Sequence, residues 1–176
     1  MNKYFYCKRW SRARKRPLEI ISKEEAQNIH NEIKRYVALI NSPEDIKKLL
    51  EKSEEYTVMV NSPKEPEAII HFVSNSASVL FLDHKLREHI EYSFQVVENN
   101  KLFLSKGVQR YYQGDSDKVS KAEMFLFKED GSLFISKTTY IPSRKRQEAT
   151  NVIDVLRNYE NFPSFEEYEG LLQKER

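Results

Sequence analysis

Asp83, His84, Glu88 and His89 form the densest grouping of side chains able to hold a divalent ion, because carboxylate oxygens and imidazole nitrogens are common metal ligands. Their spacing matches neither H-E-x-x-H nor another pattern with a mechanism, so they read as a solvated turn between strands. Asp115-Ser116-Asp117 opens like a calcium loop, yet such a loop needs Gly at its sixth position and an acid at its twelfth. Ser120 and Leu126 stand there instead, which leaves an acidic turn and no expected metal site.

His30, beside Ile29 and Ile33, could act as a general base only with a nucleophile or carboxylate nearby, and the spacing supplies none; it reads as a structural histidine. Cys7 would need a base or helix N-terminus to become a thiolate, and in Tyr4-Phe5-Tyr6-Cys7 it reads as a strand residue. The phosphate-cradling glycine patterns and the G-x-S-x-G elbow do not occur. A non-enzymatic protein without cofactors is expected.

Two charged segments are candidates for binding. From Lys8 to Arg16 the chain carries Lys8, Arg9, Arg12, Arg14, Lys15 and Arg16 without an acid. Arg12, Arg14, Lys15 and Arg16 could neutralise phosphates while Trp10 stacks on a base, with Arg144, Lys145 and Arg146 as an extension. The plainer alternative is a basic loop that aids solubility or meets an acidic protein. A net charge of +2 lacks the strong excess usual in nucleic-acid-binding domains.

Near the other end Glu160, Glu166, Glu167 and Glu169 alternate with Tyr159, Phe162, Phe165 and Tyr168. Carboxylates steer basic partners and aromatic rings anchor interfaces, which makes Glu166, Glu167, Glu169 and Tyr168 candidate partner-binding residues. The alternative is an amphipathic terminal helix with its rings turned inward.

The elements that must position these residues follow from periodicity. Ser22 with Glu25 three places on predicts a helix start, and Ala26, Ile29, Ile33, Tyr36, Val37 and Ile40 recur at helical spacing. Ser42 and Pro43 predict a second helix with Ile46, Leu49 and Leu50 as its stripe. Runs at 56–60, 68–73 and 79–82 predict strands. Asn99-Asn100 and Asp130-Gly131 predict hairpins with two-residue type I′ turns, joining 91–97 to 102–108 and 124–127 to 133–140. The stretch 150–158 fits either strand or helix, and Ser164 with Glu167 predicts a last short helix carrying Phe165, Tyr168 and Leu172. The expectation is an α+β fold: an antiparallel β-sheet with N-terminal helices on one face and a short C-terminal helix.

At 176 residues one domain spanning the whole chain is expected. Cys7 is the single cysteine, which excludes an internal disulfide and fits a reducing compartment. The first residues lack an apolar stretch of signal length and no run is apolar enough to span a membrane, so a soluble cytoplasmic protein is expected. The sequence leaves its oligomeric state open.

The opening MNKYFYCKRW, the helix and strand order and the ending NYENFPSFEEYEGLLQ resemble, in overall style over the whole length, bacterial immunity proteins of polymorphic-toxin and contact-dependent growth inhibition systems. That resemblance implies a cytoplasmic inhibitor that binds and neutralises a cognate toxin domain, with no catalytic residues. Nucleases with basic clefts are one class of toxin that an acidic surface would complement.

Overall fold

The Ser22 hydroxyl accepts the Glu25 amide at 3.1 Å, and helix α1 runs Lys23–Ala38 in the computed structural model, which describes all residues except 1, 43, 46, 47 and 49–53. The Glu25 carboxylate meets Lys8 Nζ at 2.7 Å, tying the start of the helix to the sheet. Ala26, Ile33, Val37 and Ile40 are buried, with Ile29 and Tyr36 packed at the margin. The expected stripe of a second helix, Ile46, Leu49 and Leu50 behind Pro43, lies outside the described residues.

The strands are β1 (Tyr4–Ser11), β2 (Arg16–Ile20), β3 (Glu55–Val60), β4 (Ala68–Val73), β5 (Ser76–Leu82), β6 (Glu88–Val97), β7 (Lys101–Tyr112), β8 (Val119–Phe127), β9 (Ser132–Thr139), β10 (Lys145–Val152) and β11 (Tyr159–Asn161). They make one eleven-stranded sheet in the order β10-β9-β8-β7-β6-β5-β4-β3-β1-β2, with β11 against the start of β7. Every pairing is antiparallel. The α+β expectation holds: hairpin connections can only make antiparallel neighbours, and β1–β3 and β7–β11, which no hairpin joins, pair antiparallel as well.

Asn99 and Asn100 sit at φ 62° and 57°, the left-handed region that Asn tolerates, but the last β6–β7 pair is Val97 with Lys101, so this loop has three residues where a two-residue type I′ turn was expected. The β8–β9 turn differs from expectation too. Gly131 N donates to Lys128 O at 3.0 Å and Lys128 N to Ser132 O at 2.9 Å, so the loop has three residues, a turn closed by Gly131 alone at φ 87°. This is the three-residue alternative in which one left-handed residue suffices. A Cβ at Gly131 would lie 2.8 Å from Ile153 O, whereas Gly114, at φ 55°, has nothing within 4 Å. Gly131→Ala is therefore expected to cost at least ~1 kcal/mol, and more than Gly114→Ala. Urea midpoints check the order; equal shifts would contradict it.

The segment expected to be a helix from Ser164 consists of turns: Glu167 N donates to Ser164 O at 3.1 Å, then Leu171 N to Tyr168 O at 3.0 Å. Glu166 takes a left-handed φ of 66°, which breaks helical geometry, while Phe162, Tyr168 and Leu171 are buried in the core. Burial of those rings outweighs the helical hydrogen bonds. The helical turn near this end is the 3-10 turn Leu156–Asn158, so the ambiguous stretch begins as β10 and ends helical.

The sheet buries apolar side chains on two faces. One carries Tyr56, Val58, Ile70, Phe72, Val79, Phe94 and Leu102 under α1 and the C-terminal segment. A smaller cluster of Cys7, Met59, Ile69, Leu80 and Leu82, flanked by Phe5, Trp10 and Leu86, lies apart from it.

Candidate protein-binding surface

The C-terminal segment is held by a buried polar chain centred on His30. Nε2 lies 3.2 Å from Pro163 O, which can only accept, so we assign the ring hydrogen to Nε2. Nδ1 then accepts from the Tyr56 hydroxyl at 2.7 Å, and the Tyr56 oxygen accepts from Tyr168 at 3.2 Å. Tyr56, Phe72, Phe162 and Phe165 surround the imidazole with ring centroids 5.6 to 5.9 Å away. Burial pushes His30 down to about 4 and the Tyr168 hydroxyl up to about 12, so both are neutral near pH 7. His30 is structural, as its setting in the sequence suggests, and it latches α1, β3 and the last segment together.

That latch fixes where the acidic residues point. Tyr168 is fully buried, which removes it from any surface a partner could touch; its ring packs edge-on to Tyr4 at 5.0 Å. Glu166 accepts from the Tyr6 hydroxyl at 2.7 Å and from Lys23 Nζ at 2.5 Å. The Lys23 ammonium draws its carboxyl below the usual range, against some desolvation and with help from Tyr6. Glu160 pairs with Arg176 at 3.0 Å. Glu167 and Glu169 are exposed; the Glu169 carboxylate accepts a 3.2 Å hydrogen bond from Tyr4, and neither makes an ion pair among the described residues. The acidic candidates are thus two open carboxylates beside one already neutralised. Tyr4 and Lys23 belong to the same surface, with the buried Tyr6 beneath it, a grouping that no local spacing could reveal because β1 and the C-terminus are distant in sequence.

The basic tract meets acids of its own chain. Arg9 pairs with Glu55, Arg12 with Glu88 at 3.1 Å and Lys15 with Asp117 at 2.8 Å. Trp10 packs against the Cys7 and Met59 cluster rather than standing free to stack. Arg14 and Arg16 are exposed and unpaired among the described residues. The strand order puts β10, with Lys145 and Arg146, at the opposite end from β1 and β2, so those cations do not extend the tract.

On β6, Glu91 is 5% exposed and accepts from Arg110 at 2.6 Å, with Lys106 Nζ 2.7 Å away. Burial opposes its ionisation, but those two cations outweigh it and hold the carboxyl below the usual range. In Glu88 burial prevails over Arg12 and Arg110, and the carboxyl is raised. Asp83 binds Arg87 Nε at 2.7 Å and Asp115 pairs with Lys85. The acids once considered for metal therefore serve as ion-pair partners, and among the described residues no group of three or more His, Cys, Asp or Glu is placed to hold a metal. Cys7 is buried, its thiol pushed up to about 11 by desolvation, as suits a core residue.

Comparison of the chain with known protein families, with curated proteins and with solved structures finds no match in any of the three. The class the coordinates define is an α+β protein on one open antiparallel sheet.

Proposed function

We propose that the chain acts by binding another protein, as a non-enzymatic immunity protein that neutralises a cognate toxin domain in the bacterial cytoplasm. The observation that carries this reading is the exposed pair Glu167 and Glu169 on a turn whose backbone is held by the buried His30, Tyr56 and Tyr168 chain. A fixed acidic turn next to the hydroxyl of Tyr4 suits a basic cleft. Rigid presentation lowers the ordering cost of association, and open carboxylates speed the encounter. The resemblance in sequence style supplies the toxin as the kind of partner. That the cations of the Lys8 to Arg16 tract are largely consumed by Glu25, Glu55, Glu88 and Asp117 favours this reading over contact with nucleic acid.

The experiment is co-expression with the effector domain encoded beside this gene. Growth is expected with the unmodified chain and loss of growth with the effector alone. Killing that proceeds equally with and without this chain would contradict the proposal for that pair.

A further inference from the structure

The two ends of the sheet are built differently. At one end β2 presents Pro17, which has no amide hydrogen, and Glu19 at φ 53°; both interrupt an extended ladder, and such devices keep edge strands from pairing. At the other end β10 is a regular strand of eight residues, all exposed, with no proline and no left-handed residue. Ile153 N donates to Gly131 O at 2.9 Å. Counting back along the alternation of an antiparallel strand, the main-chain groups of Asn151, Ala149, Gln147 and Lys145 face β9, and those of Val152, Thr150, Glu148 and Arg146 face the open edge. In keeping with this, Val152 N finds only the side chain of Asn151, at 2.8 Å.

We propose that the β10 edge pairs with β10 of a second copy of this chain, antiparallel about a two-fold axis at Gln147. The charges select that partner and that register. Arg146 and Glu148 lie on one face of β10, 2.5 Å apart between Nη2 and Oε1, and both have outward-facing main-chain groups. Centred on Gln147, the pairing sets Arg146 opposite Glu148 of the second copy and Glu148 opposite its Arg146, so four charges alternate around the axis and each pair is a hydrogen-bonded one. Centring on Arg146 or on Glu148 would oppose like charges directly, which destabilises a cross-strand pair. This surface is separate from the acidic turn, so the proposal is independent of the toxin reading.

The test is sedimentation equilibrium of the full chain from roughly 10 μM to 1 mM, the range of weak dimers, with circular dichroism as a fold check. The unmodified chain is expected to approach twice its monomer mass. Arg146→Glu alone and Glu148→Arg alone, each placing four like charges at the axis, are expected to stay monomeric with unchanged dichroism. Mixing the two in equal amounts is expected to restore the dimer, because each supplies what the other repels, and the double exchange in one chain to restore it too. A mixture that regains the dimer also shows that both variants are folded. A monomeric unmodified chain at every concentration, or single variants that self-associate as it does, would overturn the proposal, as would a mixture that stays monomeric.

Discussion

Ile33→Asp is expected to abolish the cooperative thermal transition. Ile33 has no exposed surface and lies on the face of α1 turned to the sheet. A carboxylate buried in that apolar cluster loses several kcal/mol of hydration, against a typical total stability of about 5 to 15 kcal/mol. The control is Asn31→Asp on the exposed face of the same helix, for which a change within about 0.5 kcal/mol is expected. Calorimetry separates the two. A cooperative transition for Ile33→Asp like that of the unmodified chain would show that this face is not the buried one.

The second large effect is a loss of stability in mild acid. In the unfolded chain His30 binds a proton with a pKa of about 6.5, whereas burial in the fold depresses it to about 4. Between these values the unfolded state binds more protons, so stability falls as the pH falls. The full contribution is present above pH ~6.5, and roughly 3 kcal/mol is lost by pH ~4 at about 1.4 kcal/mol per unit. His71 and His89, also pushed down by burial, add loss of the same sign, while the raised Glu88 opposes it at the acid end. The His30 share is isolated by His30→Gln, which keeps a donor and an acceptor but cannot titrate. The variant is expected to start less stable at pH 7 and to show a flatter slope between pH 6.5 and 4.5 in urea unfolding. Parallel slopes for the two chains would contradict the buried neutral imidazole.

These two effects rest on elements that periodicity makes readable. The stripe from Ala26 to Ile40 could be traced because a helix repeats its buried face every three or four residues, and 56–60 and 68–73 because buried strands are continuous apolar runs. Strand β10 could not. Its residues KRQEATNV are all exposed, so no apolar alternation marks them, and their strand geometry comes from the ladder to β9. In β1 the basic tract masks a strand, because its cations read as a loop until Glu55 and Glu88 are brought to them from far along the chain. The same long-range pairing is why the candidate acids looked equivalent. Glu166 differs from Glu167 and Glu169 only through Lys23 and Tyr6, more than a hundred residues earlier. Tyr168 illustrates the converse error: its ring was legible as an anchor, but for the core and not for a partner.

The most direct measurement of the central claim is the association rate of the purified chain with the neighbouring effector domain, followed by stopped flow across ionic strengths. The comparison is with the variant carrying Glu167→Lys and Glu169→Lys. Both positions are exposed, so the variant should fold as the unmodified chain does. The unmodified chain is expected to associate faster as salt is lowered, and the variant at least about tenfold more slowly at low salt, with the salt dependence reversed because attraction has become repulsion. Glu166, whose carboxylate is occupied by Lys23 and Tyr6, should contribute less to that steering. Equal rates and equal salt dependence for the two chains would contradict the acidic turn as the toxin-facing surface, and absence of any association would contradict the immunity role for that effector.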